Sequence, residues 1–241
     1  MTEITRISEK KSASMSKVKK TQVGVLISGR GSNMQALIEA AKAPDYPAEI
    51  ALVISNRPKA KGIEFAKENN IQVQIIDHKS FETRDEFDEA LNEALAKANI
   101  ELLCNAGFKR LLGKEFVEKW RNKQLNIHPS LLPAFKGLNT HERALDTDVK
   151  IAGCTVHFVR FEMDEGPIVA QAAVPVLQGD TPETLGDRVL KAEHQIYPEA
   201  LRKVASGEVK IAGERLVETS NQSEQEPLFS PPLEKNQAET P

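Results

Sequence analysis

Asn126 and His128 stand two residues apart at the end of an apolar run, in Asn126-Ile127-His128-Pro129-Ser130-Leu131-Leu132-Pro133. Side chains at positions i and i+2 of a strand point the same way, so this carboxamide and this imidazole face one spot. A primary amide donates a hydrogen bond to an oxygen that is gaining negative charge, and an imidazole moves protons. The pair suits acyl transfer better than simple binding. Pro129 and Pro133 stiffen the following loop, which fixes the imidazole. A carboxylate that can pair with His128 is offered by Asp164, in the turn Met163-Asp164-Glu165-Gly166-Pro167. A turn aspartate is also common for purely local reasons.

A second constellation is Ser28-Gly29-Arg30-Gly31-Ser32-Asn33, where an apolar strand hands over to a helix. Glycines let a ligand approach the backbone, and a helix N-terminus offers unpaired N–H groups to an anion. The pattern is neither a dinucleotide fingerprint nor a P-loop, since position 34 is Met and no Gly-Lys-Ser/Thr follows. A monophosphate ester fits this loop better than a nucleoside triphosphate. The plainer alternative is a tight turn with a Ser or Asn cap. Arg84 sits in the first turn of a helix, an unhelpful place for a cation, and is a candidate to meet a substrate carboxylate. Lys109 and Arg110 follow Ala106-Gly107-Phe108 in a loop after a strand. The remaining histidines, His78, His141, His157 and His194, show no metal-ligand spacing, so no catalytic metal is expected.

The elements that must position these residues alternate. Strands are expected at residues 23–27, 50–54, 73–76, 102–104 and 125–127. Helices are expected at 33–43, 62–69 and 83–98, the last amphipathic with Phe87, Leu91, Ala94 and Leu95 on one face. This rhythm predicts an α/β fold, a mostly parallel twisted sheet with helices on both faces. After residue 150 it changes. Residues 152–159 and 168–176 read as an antiparallel pair, followed by a helix over 182–204 with Thr181 as N-cap.

The 241 residues suffice for one ordinary α/β domain, and the formal net charge of −3 gives no push toward nucleic acid or anionic membrane. Cys104 and Cys154 lie in apolar runs and read as buried structural thiols. No apolar run reaches the ~18 residues of a membrane span, and the N-terminus lacks a secretory apolar region. A cytoplasmic protein, monomer or homodimer, is expected. Residues 1–20, with six basic and two acidic side chains and four serines, read as a disordered leader. Residues 21–215 form the expected single domain. Residues 216–241, rich in Gln, Glu, Ser and Pro, read as a disordered acidic tail.

Four segments in this order resemble the glycinamide ribonucleotide formyltransferase family: residues 25–33, Ala106-Gly-Phe-Lys-Arg110, Asn126 to Pro133, and Val156-His-Phe-Val159 through Asp164-Glu-Gly-Pro167. The likeness runs from about residue 22 to about residue 204. It implies a Rossmann-like formyltransferase fold and passage of a formyl group from 10-formyltetrahydrofolate to the amine of N1-(5-phospho-D-ribosyl)glycinamide, in purine biosynthesis. It assigns Asn126, His128 and Asp164 to catalysis. It puts the ribonucleotide phosphate on Gly31, Ser32 and Asn33 and the ribose on Glu193. It puts the folate on Arg84, on Lys109, Arg110, Leu111 and Leu112, on Asn126, and on Arg160, Phe161, Glu162, Met163 and Asp164, largely through backbone groups around the pterin. Two departures stand out: Lys109 where the family usually has Met, and Asn139 where it usually has His.

The alternative is a formyltetrahydrofolate deformylase, in which water replaces the amine. It would need a regulatory domain where only about 20 residues precede the first strand, and it gives the phosphate loop no purpose. A formyltransferase acting on charged tRNA would need a basic C-terminal domain, whereas from Glu214 onward the chain carries six acidic and two basic residues. A pure binding module leaves the Asn126, His128 and Asp164 trio unexplained.

Overall fold

In the computed structural model, residues 19–219 and 228–231 are described. Most of the expected leader (residues 1–18) and most of the expected tail (220–227 and 232–241) lie outside the described residues.

Seven strands form one sheet in the order β3-β2-β1-β4-β5-β6-β7. The parallel part comprises β1 (Thr21–Ile27), β2 (Ala48–Ser55), β3 (Gln72–Ile75), β4 (Leu102–Asn105) and β5 (Gln124–His128). Then β6 (Ile151–Phe158) runs antiparallel to β5, and β7 (Ile168–Pro175) antiparallel to β6. The strands β4 and β5 are short and almost wholly buried, as apolar runs flanked by helices on both faces must be.

Side-chain alternation along β1 divides the core in two. Val23, Val25 and Ile27 pack with Met34, Leu37 and Ile38 of α1 (Ser32–Ala41) and with Tyr197, Ala200 and Leu201 of α6 (Pro182–Ser206). Leu26 points to the other face, among Phe87, Leu91 and Leu95 of α3 (Arg84–Lys97) and Phe116 of α4 (Lys114–Lys119). The four residues expected on the apolar face of α3 are therefore all core, and a capping box between Thr83 and Glu86 starts that helix. A similar box at Thr181, with Pro182 in the first turn, starts α6. The remaining helices among the described residues are α2 (Gly62–Glu68), α5 (Thr140–Asp146) and a 3-10 turn at His78–Ser80.

Two features depart from the sequence reading. The short helices α4 and α5 were not expected. A two-stranded hairpin, β8 (Val209–Ala212) with β9 (Arg215–Glu218), carries order past residue 215, where the domain was expected to end. Val209 is buried against the α1/α6 core, with Ile211 and Leu216 packed beside it, which holds the hairpin down. Cys104 and Cys154 are buried and free, and burial pushes both thiols up to about 12. Among the described residues, no helix is long and apolar enough to cross a membrane.

Candidate active site

The sheet reverses its winding at β1. From there the chain builds outward to β2 and β3, then returns to place β4 on the other side. Loops leaving β1 and β4 diverge at such a point and open a crevice beyond the carboxyl ends of the strands. The phosphate-loop candidate follows β1, residues 106–112 follow β4, and His128 ends β5.

These loops are tied together. Ser28 Oγ donates to Asn56 Oδ1 at 2.7 Å and accepts from the Lys109 N–H at 2.7 Å. One buried hydroxyl thus joins the ends of β1, β2 and β4. Gly31 has φ +69°, and α1 begins there with no side-chain cap. The Ser or Asn cap considered from sequence is absent, so the first-turn N–H groups stay open to an anion. Asn33 turns inward instead. Its Nδ2 donates to Glu193 Oε2 at 2.7 Å, while its Oδ1 is buried with no hydrogen-bond partner in the protein. Burial pushes the Glu193 carboxyl up from its usual range, against the opposing pull of the Asn33 hydrogen bond. Gly31, Ser32, Asn33 and Glu193 therefore meet, although Asn33 and Glu193 are 160 positions apart.

On β5 the i, i+2 geometry holds. Asn126 lies opposite His157 of β6, and His128 opposite Thr155. Asn126 Nδ2 is 3.2 Å from His157 Nε2, and His157 Nδ1 is 3.0 Å from the Phe158 carbonyl. A carbonyl only accepts, so Nδ1 carries the hydrogen and Nε2 receives one from Asn126. Burial lowers His157 from its ordinary value, in keeping with a neutral ring. This interaction orients the carboxamide and leaves its second N–H available. Sequence reasoning passed over His157. The antiparallel pair expected from sequence joined residues 152–159 to 168–176, whereas His157 meets Asn126 through the pairing of β5 with β6, which the sequence did not announce.

His128 is buried, with Nδ1 3.3 Å from Asp164 Oδ1 and Nε2 3.0 Å from the Phe135 carbonyl. The carboxylate stands at ion-pair distance from Nδ1, and the carbonyl, which only accepts, receives a hydrogen from Nε2. Asp164 Oδ2 accepts from the Gly137 N–H at 2.7 Å. The loop after β5 is held on several sides. Thr155 Oγ1 donates to Ser130 O at 2.7 Å and accepts from the Leu132 N–H at 3.0 Å, and Arg143 lies over the Phe135 ring at 5.5 Å. Asn139, a departure from the family pattern, is exposed in a left-handed conformation that asparagine tolerates well, ahead of α5.

The expected folate residues divide. Lys109, Arg110 and Leu111 are exposed and Leu112 half-buried on the loop after β4, and the Lys109 backbone N–H is already used by Ser28. Arg84 is exposed at the start of α3, where its charge reaches Asp88 and its Nε approaches Gly113, so it borders the same loop. Phe161, Glu162 and Met163 are exposed on the loop carrying Asp164. Arg160 is different. Its side chain is buried and engaged with Glu214 and Asn122, so only its backbone remains on the loop. Among the described residues, no group of three or more His, Cys, Asp or Glu side chains could hold a metal.

An oriented amide, an imidazole paired with a carboxylate, and an open helix N-terminus thus lie at the carboxyl edge of a doubly wound sheet, the arrangement of a group-transfer site. The formyl transferase family model matches residues 21–201. The phosphoribosylglycinamide formyltransferase of Haemophilus influenzae is 40% identical over 190 residues, 79% of this chain and 90% of that protein. The human trifunctional purine biosynthetic protein adenosine-3 is 51% identical over 193 residues, 80% of this chain but only 19% of its own length. Among solved structures, glycinamide ribonucleotide transformylase 1 from Symbiobacterium toebii superposes with a TM-score of 0.81 at 46% identity, covering 83% of this chain and 95% of that one. The phosphoribosylglycinamide formyltransferase from Brucella melitensis does so with a TM-score of 0.76 at 52% identity, covering 80% of this chain and 100% of that one. The chain belongs to the formyl transferase family.

Proposed function

We propose that this protein transfers the formyl group of 10-formyltetrahydrofolate to the amine of N1-(5-phospho-D-ribosyl)glycinamide, a step of purine biosynthesis. The observation that carries the reading is the meeting of His128 and Asp164, with Asn126 two residues along β5, at the same edge of the sheet as the uncapped start of α1 and the buried Asn33–Glu193 pair. The trio supplies donors for a developing oxyanion, and the second constellation suits a ribose phosphate. The N–H groups at Gly31, Ser32 and Asn33 would hold the phosphate, and Glu193 would accept from ribose hydroxyls. Asn33 Oδ1, buried without a partner, is an acceptor in want of a donor that such a ligand supplies.

Folate would lie across the loop after β4 and the loop carrying Asp164. Leu111, Phe161 and Met163 are 63%, 46% and 52% exposed there, apolar surface that suits a flat aromatic ring system. Arg84 would meet the glutamate carboxylate.

The chemistry follows from these positions. The amine lone pair attacks the formyl carbon, a carbon–nitrogen bond forms, and the carbonyl electrons move to oxygen. The free N–H of Asn126 and the Nε2–H of His128 stabilise that oxyanion, the latter exchanging its Phe135 carbonyl for a more basic acceptor. Asp164 balances the charge on the ring and orders water for proton movement. The oxyanion then collapses, the bond to folate nitrogen breaks, and the proton lost by the attacking amine passes to that nitrogen. No nucleophilic side chain and no covalent enzyme intermediate are needed.

The test follows tetrahydrofolate release with and without the ribonucleotide. Release should depend on the ribonucleotide and be nearly abolished in His128→Ala and Asp164→Ala. Equal release without it would make the protein a hydrolase instead.

A further inference from the structure

The loop that delivers Asp164 leaves the sheet far from where its carboxylate is used. Phe158, at the end of β6, lies beside Leu125, and the next N–H, that of Val159, donates to Gln124 O at 2.9 Å. The chain thus exits at the start of β5, whereas His128 is its last residue. At ~3.3 Å per residue the gap is ~13 Å. To place Asp164 Oδ1 3.3 Å from His128, the loop must double back along the strand. Its tip cannot hold itself there by burial, because Phe161, Glu162 and Met163 are all exposed.

The stem is built tightly. The Phe158 N–H donates to Pro167 O at 2.9 Å. Gly166 has φ +120°, and a Cβ there would stand 2.2 Å from Phe158 O and 3.0 Å from Arg160 Cγ. Arg160 fills the base of the stem with its side chain 6% exposed. Its Nε donates to Glu214 Oε2 at 2.9 Å, its Nη2 to Asn122 Oδ1 at 2.8 Å, and its Nη1 to Val159 O at 3.0 Å. Glu214 lies in the turn between β8 and β9 and also pairs with Arg121. A guanidinium buried this far needs its donors matched and its charge balanced.

We propose that Glu214 and Asn122 are positioning residues for the transfer reaction: they lock Arg160 in the stem of the loop, and the locked stem delivers Asp164 to His128. The inference rests on the proposed role of Asp164. It gives the C-terminal hairpin a part in catalysis, although the hairpin supplies no group to the reacting atoms. The shift of Glu214 agrees, since its carboxyl is held below the usual range first by Arg160 and then by Arg121.

Two variants attack the same guanidinium from different sides. Glu214→Gln removes the charge, and Asn122→Gly removes the carboxamide while keeping the left-handed backbone at φ +60°. Each should lower kcat about tenfold, short of the ~10² that a full 1 Å misplacement can cost. Each should also raise KM for 10-formyltetrahydrofolate and leave KM for the ribonucleotide unchanged, while the melting temperature falls because a buried guanidinium loses a partner. A purely structural cluster would lower the amount of active protein and move neither KM, and that result overturns the proposal, as would wild-type kinetics in both variants. Failure of the functional reading is seen separately, as unmutated protein that does not formylate the ribonucleotide.

Discussion

Asn126→Asp is the sharpest single perturbation of the proposed chemistry, because it changes one atom group and almost no volume. In the folded protein Asn126 Nδ2 has two hydrogens. One goes to His157 Nε2 at 3.2 Å, and the other is free for the oxyanion. The aspartate variant loses both donors and sets an anionic oxygen where the substrate oxygen becomes negative. Removing one preorganised donor costs ~10²–10³ in kcat, or about 2.7–4 kcal/mol of transition-state stabilisation. The added charge repulsion makes this a lower bound. The same change sets a carboxylate against the lone pair of neutral His157, which favours protonation of that ring. The expected outcome is a fall in kcat of at least ~10² with both KM values little changed, since the donor acts on charge that exists only in the transition state. Steady-state kinetics at saturating levels of each substrate, with circular dichroism to check folding, measures it. A kcat within threefold of wild type in a folded variant would refute the assignment of Asn126 to the oxyanion. A loss carried by KM alone would make it a binding residue.

Three more outcomes follow from the geometry. Gly31→Ala forces a side chain onto a residue at φ +69°, a conformation that costs an L-residue roughly 1–2 kcal/mol. It should raise KM for the ribonucleotide more than for the folate, and the opposite order would contradict the phosphate cradle. Arg84→Ala should raise folate KM while sparing kcat, because the residue is exposed and remote from His128 in the chain; an unchanged folate KM removes it from the site. Glu193 carries a pH signature. Its folded value lies above the unfolded 4.5, so the native state holds the proton longer, and stability declines as pH rises from 4.5 through the folded value. Glu193→Gln should flatten that decline and raise the melting temperature at neutral pH and above, while weakening the ribonucleotide. A melting curve against pH parallel to that of wild type would contradict this.

Much of this was legible in the chain because the relevant physics is local. The i, i+2 spacing on β5, the Gly-rich handover into α1 and the apolar stripe of α3 depend only on neighbours in sequence. The two short helices, α4 and α5, span six and seven residues, too few to display a helical period. The hairpin β8–β9 was not expected, and the end of its second strand fell in the expected tail, because two strands of four residues are too short to show a period; its order comes from a distant contact, Val209 against the α1/α6 core. His157 was missed for a related reason. Its role depends on the β5–β6 register, and a slip of one residue would turn it to the other face. The side chain of Arg160 illustrates the same limit, since its partners Asn122 and Glu214 are 38 and 54 positions away.

The division has a physical basis that bears on how this site works. Of the groups proposed for the reaction, Asn126, His128 and the turn into α1 sit at a strand end and a helix start, where secondary structure fixes their direction, whereas Asp164 depends on its loop. The groups that set their distances, Ser28 with Asn56, Thr155 with the loop after β5, and Arg160 with Glu214, act across the sheet through hydrogen bonds between side chains and loops. An amide donor is only as effective as its placement relative to the oxyanion, and sub-ångström tolerance is demanded of such groups. The buried arginine clamped from the C-terminal hairpin is one such tie, and its effect should appear as a change in rate without a change in the reaction catalysed.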